Sequence, residues 1–333
     1  MTQNVCIETD SPRRNPSPIT VAITGGNGFV GRRLVRRHLA RGDVVRVLTR
    51  HRYNSPENAG SPTQFLGDLA TGQIPPAFLD NADVLYHCAA ELRDSSAMRR
   101  VNVDGTLHLL DLAGGRLGRW VQLSSAGVYG SNARGVITEG TLPAPRNPYE
   151  CSKVEADEAV IATATRKNLD FAILRPTNVF GPEMKSRSLR QWAMLVKLGL
   201  YFHVGPAGAS ANYIHVDNVV HALEMCGIHP NAPGRIFNLS DFRTMEEFVG
   251  VIATSLKVRS PAWRMPIGVA GLLAGVAGWI PGSPLTNSRL GVLTDRSTYP
   301  IELIQRQLGY AHAISMEDGL DQTIRSLFPD QLG

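Results

Sequence analysis

The 333-residue chain predicts an α/β fold: a doubly wound parallel sheet carrying a smaller, helix-rich carboxyl-terminal lobe. Three observations predict it. From residue 19 onward, apolar β-branched runs alternate with helical stretches; a glycine cluster separates the first strand from the first helix; and after residue 175 the alternation gives way to proline-interrupted helices. Parallel strands need crossovers, which helices usually supply, so such alternation implies a sheet covered on both faces.

The opening residues, MTQNVCIETDSPRRNPSP, lack the apolar core of a secretory signal and predict a disordered tail over 1–17. ITVAIT, from Ile19, reads as a strand, residues 29–40 as a helix and VVRVLT at 44–49 as the second strand, which completes a βαβ unit. Further strands are expected at 63–66, 84–88, 120–124 and 171–175, with helices at 98–112 and 152–166. RPTNVFGP predicts a loop, 189–200 a helix, NYIHV at 212–216 a strand returning to the sheet, and RIFNLS at 235–240 one more strand. From residue 244 the chain is helix-rich.

Charged residues at 19% and hydrophobic ones at 43% match a globular protein and exclude collagen-like, coiled-coil and wholly disordered classes. The net charge of +5 mildly favours anionic partners. Cys6, Cys88, Cys151 and Cys226 lie far apart without ligand spacing, so neither a disulfide scaffold nor a metal site is indicated, and a reducing, cytoplasmic location is expected. The longest apolar run, IGVAGLLAGVAGWI at 267–280, falls short of the ~20 residues a helix needs to cross a bilayer, so no membrane span is expected. The preferred reading of this run is a buried helix of the small lobe, ahead of an interfacial helix or a lid over an apolar substrate.

TGGNGFVG spaces Gly25, Gly28 and Gly31 three apart between a strand and a helix. Glycine permits the tight turn, close backbone approach to a pyrophosphate and close helix packing, while free N–H groups at the helix start face the anion. This is a Rossmann-type dinucleotide site. An acid at the end of the second strand would favour NAD; here the position holds Thr49-Arg50, and Arg50, with Arg32 or Arg52 as helpers, suits the extra phosphate of NADP, so NADP is preferred to NAD. Arg32, Arg33, Arg36, Arg37 and Arg41 otherwise read as a solvated helix face and not as a nucleic-acid footprint. Asp68 in LGDL could accept from the adenine amino group or simply cap a helix.

Tyr149 and Lys153 in YECSK stand four apart at a helix start and therefore share a face. An ammonium near a phenol favours phenolate and would draw its pKa from about 10 towards neutrality, fitting it to exchange a proton with a substrate hydroxyl or carbonyl. Ser125 in LSSAGVYG would hydrogen-bond the same oxygen.

With these motifs in hand, the chain resembles an extended short-chain dehydrogenase/reductase of the NAD(P)-dependent epimerase/dehydratase family. The likeness runs from Ile19 to Phe328 through TGGNGFVG, LGDL, HCAA, NVDGT, LSSAGVYG, YECSK, RPTNVFGP, YIHVDNVV, FNLS and LGY. It implies a dinucleotide-binding domain over 18–182 with 211–240, and a substrate lobe over 183–210 with 241–330. It implies that the pyrophosphate is held by Gly25, Gly28 and Gly31 beside Asn27, Phe29 and Val30, and the adenine by Asp68 with Leu69 close by. Ala89, Ala90, Pro176, Asn178 and Val179 would line the cofactor. Ser125, Tyr149 and Lys153 would be catalytic, with Tyr149 and Lys153 also contacting the cofactor. Glu91, Ser125, Ala126, Tyr149, Asn178, Arg187 and Tyr213 would meet the substrate. By the same resemblance, the helices after NVDGT and YECSK would pair two subunits as a homodimer.

Two departures narrow the reaction. Family members that dehydrate nucleotide-hexoses carry an Asp-Glu pair after the catalytic hydroxyl, where this chain has Ala126-Gly127, so dehydration is not expected. The arginine that often precedes the YIHV strand and clamps a diphosphate is replaced by Ser210-Ala211-Asn212, leaving Arg187, Arg190 or Arg243 to supply it. The expected activity is a nucleotide-sugar epimerase or ketoreductase. The alternative is an NADP-dependent dehydrogenase of an apolar alcohol or ketone, resembling 3β-hydroxysteroid dehydrogenase or dihydroflavonol reductase. A non-catalytic cofactor sensor ranks last, since it would not need the Ser-Tyr-Lys group.

Overall fold

The computed structural model describes residues 17–52, 60–130, 133–184, 188–277 and 287–329. The expected tail and Arg187 lie outside the described residues. Seven strands form a wholly parallel sheet: β1 (Thr20–Thr24), β2 (Val44–Thr49), β3 (Thr63–Leu66), β4 (Ala82–His87), β5 (Leu117–Leu123), β6 (Asp170–Pro176) and, as the seventh, the later strand Arg235–Leu239. With the short strands β7 (Asn178–Phe180), β8 (His203–Val204) and β9 (Ser210–His215) intervening in the chain, that seventh strand is β10, and the sheet order is β10-β6-β5-β4-β1-β2-β3. The order reverses between β1 and β4, which opens a crevice at their carboxyl ends.

Helices cover both faces: α1 (Gly31–Arg41), α2 (Ser95–Met98), α3 (Gly105–Ala113), α4 (Pro148–Lys167) and, after α5 (Ser188–Lys197) of the carboxyl-terminal lobe, α6 (Val216–Ile228). Alternation along β1 sends Val21 and Ile23 into a core with Leu34 of α1 and Val219 and Leu223 of α6, while Ala22 joins Leu109 of α3 and Val160 of α4 on the opposite face. Gly42 ends α1 in a left-handed conformation (φ 85°) that most side chains resist. The helix expected at 98–112 is interrupted by a π-helical stretch, Arg99–Asp104, between α2 and α3.

Two strand assignments differ from expectation. RPTNVFGP is not all loop, because its middle forms β7; and β9 does not return to the main sheet but pairs with β7 and with β11 (Asp241–Thr244) in a separate three-stranded sheet. The later elements are α7 (Met245–Ser255), β12 (Arg264–Met265), α8 (Ile267–Ala277), α9 (Asn287–Thr294), α10 (Glu302–Leu308), which packs back on β10 of the main sheet, and α11 (Met316–Leu327). Phe180, Ala193, Phe248, Ile252, Leu320 and Ile324 build this third core. The buried helix preferred for 267–280 is a further correction: of the α8 side chains Ile267 to Leu273, only Ala270 is buried, since just one edge of the helix meets a small cluster with Val204 and Met265. None of the described helices is long and apolar enough to cross a membrane.

Candidate active site

The crevice at the strand-order switch is where the glycine loop lies. A Cβ on Gly25, whose φ is 68°, would come within 2.8 Å of the Ala89 backbone, and one on Gly31 would stand 2.2 Å from the Gly25 carbonyl oxygen. No larger residue fits either place. Val30, the residue before α1, offers no side-chain cap, the first turn has no acid, and the amides of Asn27, Phe29, Val30 and Gly31 have no acceptor among the described residues. Unpaired amides at an uncapped helix start suit a pyrophosphate. The chain therefore fits a dinucleotide on its own geometry.

The walls of this groove are pinned by a buried relay. Thr24 Oγ1 lies 2.6 Å from His87 Nδ1 and accepts from the Ala89 amide at 3.2 Å, while His87 Nε2 lies 3.0 Å from Thr106 Oγ1. Burial, aided by the Lys153 charge, pushes the His87 pKa down to about 3, so the imidazole stays neutral. Asn102 ties the next turn to α4: its Oδ1 accepts from the Glu91 amide at 2.7 Å and its Nδ2 donates to Ser152 Oγ at 2.9 Å. Motif quotation alone (HCAA, NVDGT) had assigned no role to His87 or Asn102.

At the adenine end, Asp68 Oδ1 accepts from the Ala70 amide at 2.9 Å, and Leu69 beside it is buried. Arg50 and Arg52 are exposed, and neither has a hydrogen bond or ion pair with the other described residues. Arg32 is committed elsewhere: it pairs with Glu183 at 2.9 Å. Arg33, expected on a solvated face, donates to the Pro182 carbonyl at 2.7 Å and lies over the Phe29 ring at 5.0 Å, so it fastens α1 to the loop after β7.

At the other end Ser125 starts a short 3-10 turn containing Ala126, its Oγ accepting from the Gly127 amide at 3.0 Å. Its side chain also hydrogen-bonds the half-buried Tyr149, at the start of α4, where Asn147 caps the helix. Lys153, one turn on, is buried and donates from Nζ to the Leu123 carbonyl at 2.7 Å. The acidified phenol expected from the spacing is not found. Burial pushes the Tyr149 pKa above the ordinary phenol value, Ser125 draws it back in part and the Asp157 charge raises it; Lys153 adds no resolved pull, and burial lowers its own pKa.

Beneath Lys153 lies a charged network that sequence reasoning missed. Asp157 Oδ2 accepts from Ser124 Oγ at 2.8 Å and from Arg175 Nε at 3.1 Å, with Arg175 Nη2 at 3.0 Å, and both partners are almost wholly buried. Arg175 Nη1 continues to the Tyr129 hydroxyl at 3.1 Å, which donates to Asn238 Oδ1 at 2.9 Å. The available signal was an acid four residues after Lys153 on an otherwise packed helix face.

The remaining predicted residues fall around the crevice with varied freedom. Ala90 is half-buried, Pro176 buried at the end of β6, and Val179 half-buried in β7. Asn178 Nδ2 donates to the Asn212 carbonyl at 3.1 Å and so joins β7 to β9. The Glu91 carboxylate is taken by the amides of Leu92, Arg93 and Asp94, which makes it a turn former with little left for a substrate. The Tyr213 ring stacks on Phe248 at 4.4 Å, and burial pushes its phenol up to about 12. Of the alternative clamps, Arg243 is held by Asp241 and Glu317 and is not free, whereas Arg190 is exposed without a partner among the described residues.

A family model described as NAD dependent epimerase/dehydratase matches residues 21–240. This chain belongs to that family. It is 29% identical over 326 residues to a dTDP-glucose 4,6-dehydratase of Streptomyces griseus, covering 91% of this chain and 92% of the relative. It is 27% identical over 271 residues to a UDP-glucose 4-epimerase of Vibrio cholerae, covering 75% and 79%. The fold matches the crystal structure of the Thermotoga maritima UDP-glucose 4-epimerase with UDP-glucose, at a TM-score of 0.71 and 19% identity, over 93% of this chain and 99% of that one. The protein is thus an enzyme of the extended short-chain dehydrogenase/reductase type, with a Rossmann-like parallel sheet.

Proposed function

We propose that this enzyme is an epimerase or ketoreductase of a nucleotide-linked sugar, working through Ser125, Tyr149 and Lys153. The observation that carries the substrate class is a pocket lined by Arg134, Arg296, Val204, Pro206, Thr294 and Ile267. Neither arginine has a carboxylate partner among the described residues; Arg296 donates only to the carbonyls of Pro206, Ala207 and Gly208. Two uncompensated guanidinium groups suit a diphosphate and replace the arginine missing before β9. Dehydration is not part of the proposal, because the nearest carboxylate to Gly127, that of Glu150, is engaged by the Arg146 amide at 2.7 Å.

A nicotinamide in the crevice would supply the hydride chemistry. Tyr149 then takes the proton of the substrate hydroxyl as the carbon is oxidised, and returns it when the ketone is reduced. Ser125 holds the same oxygen, and Lys153 holds its charge at the floor of the site. A titration of the protein with cofactor against a panel of nucleotide sugars tests this. We expect heat of binding from at least one sugar, and roughly tenfold weaker binding in Arg134→Ala, as for a lost charge-assisted contact. Silence from the whole panel overturns the reading.

NADP is the proposed cofactor, supported by Arg50 at the end of β2, which is exposed and has no partner among the described residues. Arg50→Ala should weaken NADP by about 1.5–3 kcal/mol, the range for hydrogen bonds to charged groups, and leave NAD within about twofold. Equal affinity of the unaltered enzyme for both would reject the choice. A homodimer through α3 and α4 is also proposed, since Leu107 of α3 stands exposed beside α4; a monomer by sedimentation rejects it. The second reading, a reductase of an apolar ketone, is favoured by Ile267 and Val204 in the arginine pocket, and NADPH oxidation with hydrophobic ketones but no sugar would select it.

A further inference from the structure

The hydrogen bonds around His87 can run in one direction only, because some of their atoms have no choice of role. A carbonyl can only accept, so Thr106 Oγ1, 2.6 Å from the Asn102 carbonyl, spends its single proton there. Toward His87 Nε2, 3.0 Å away, Thr106 is therefore the acceptor, and Nε2 carries the imidazole proton. Nδ1 is then a bare acceptor that takes the Thr24 hydroxyl proton at 2.6 Å, while Thr24 Oγ1 accepts from the Ala89 amide. Thr24 and His87 stand opposite each other in the β1–β4 ladder, so strand register builds the pair. A second ring proton would face Thr24 Oγ1 and leave that hydroxyl's own proton with no acceptor among the described residues, which agrees with an imidazole held neutral by burial.

The path does not stop at Asn102. That residue lies inside the π-helical stretch Arg99–Asp104, a rare conformation that is frequent at functional sites. Its side-chain amide is oriented by the same logic. Ser152 Oγ gives its proton to the Tyr149 carbonyl at 2.8 Å, so it accepts from Asn102 Nδ2 at 2.9 Å. The other Nδ2 proton goes to the Glu91 carbonyl at 3.0 Å, and Oδ1 accepts the Glu91 amide at 2.7 Å. Thr24, His87, Thr106, Asn102 and Ser152 are all buried, and none of their buried side-chain nitrogen or oxygen atoms lacks a partner. One directed path, passing through Asn102, thus joins the Ala89 amide, beside Gly25 in the dinucleotide groove, to the backbone of Tyr149 on α4.

We propose that His87, as the Nε2-protonated tautomer, is a positioning residue that holds the dinucleotide groove with one ring nitrogen and the Tyr149 turn with the other. The Nδ1 arm ends, through Thr24, at the Ala89 amide; the Nε2 arm runs through Thr106, Asn102 and Ser152 to Tyr149. In a buried, low-dielectric setting each link is strong and costly to leave unmade. The catalytic weight of the second arm rests on the reading of Tyr149 as the proton-transfer group, which Tyr149→Phe tests by itself.

NMR of the chain carrying nitrogen-labelled histidine decides the tautomer. We expect the His87 proton on Nε2 at neutral pH; a proton on Nδ1, or on both nitrogens, overturns the proposal. Two conservative variants separate the arms, since the amide oxygen of asparagine falls where Nδ1 stands and the amide nitrogen of glutamine where Nε2 stands. His87→Asn should bind NADPH and NADH within about twofold of the unaltered chain, yet exchange the amide hydrogens of residues 147–153 roughly tenfold faster. His87→Gln should do the converse, keeping that exchange within about twofold and weakening both dinucleotides roughly tenfold, as for one lost buried hydrogen bond. With any sugar that the enzyme turns over, kcat should fall on the order of 10²-fold in His87→Asn, as for a catalytic group displaced by about 1 Å, and hold in His87→Gln. A side chain that merely stabilised the fold would move both readouts together in both variants; that result, or no change in either, overturns the proposal. Turnover lost in Tyr149→Phe but kept in His87→Asn overturns it too, while sparing the acid–base reading.

Discussion

Replacing Tyr149 by phenylalanine is expected to lower kcat by about 10²–10⁴, the range for losing a positioned general acid–base, while leaving the affinity for the dinucleotide unchanged. The two effects separate because the groove that suits the dinucleotide is built from backbone. Unpaired amides at the start of α1 and the Gly25 to Ala89 contact do not involve the phenol. The hydroxyl does touch Ser125, so Phe leaves one serine contact unmade without collapsing the 3-10 turn, which the Ser125 to Gly127 bond still holds. Stopped-flow turnover beside fluorescence titration of the cofactor reads both quantities, and undiminished turnover would remove Tyr149 from the chemistry. The pH profile carries a further expectation. Burial holds the phenol above its ordinary pKa of about 10, so the residue keeps its proton at neutral pH. Reduction, which consumes that proton, should stay flat with pH until the phenol ionises. Oxidation, which needs the proton gone, should rise with pH across the same span.

That profile differs from what the YECSK spacing alone suggests, and the difference marks how far sequence reaches. Periodicity placed Tyr149 and Lys153 on one helix face, which the structure bears out; it could not tell that the ammonium turns to the Leu123 carbonyl, a partner thirty residues away. The same limit governs the fold. The β2 and β3 bounds agree with those read from the β-branched and aromatic runs; β2 is mostly buried and apolar, as a parallel strand inside a sheet is, whereas β3 is the sheet's edge and none of its residues is fully buried. β7 was hidden inside RPTNVFGP, where proline and glycine signal a break although three residues still pair with β9. β9 carries a strand pattern, but nothing in its own residues says that it joins β7 and β11 away from the main sheet. Apolarity of 267–280 likewise predicts that the helix is covered and not by what. Side chains whose roles lie in long-range pairing, such as His87 with Thr24 and Asp157 with Arg175, were beyond local pattern for the same reason.

Arg175→Met should cost about 3–5 kcal/mol in unfolding free energy, the largest stability effect expected of any single side chain here, because it strands a carboxylate in the core. Asp157 is buried at the floor of the site, and its Oδ1 has no partner; three donors converge on Oδ2, two of them from Arg175. Without the guanidinium, Ser124 alone cannot repay the desolvation of the charge, and the carboxyl, already pushed up by burial, would rise further and take a proton. Removing both charges at once, as Asp157→Leu/Arg175→Met, should return most of the loss, since an apolar pair of similar volume needs no solvation. Urea unfolding of the two singles and the double closes the cycle, and additive losses would mean that the pair is not coupled. The double variant also isolates a functional consequence. Asp157 is the main group favouring the charged form of Lys153 against its burial, so without it the lysine pKa falls further. The alkaline limb of activity that tracks the ammonium should then move to lower pH even where the fold is intact, a displacement that a purely structural ion pair would not produce.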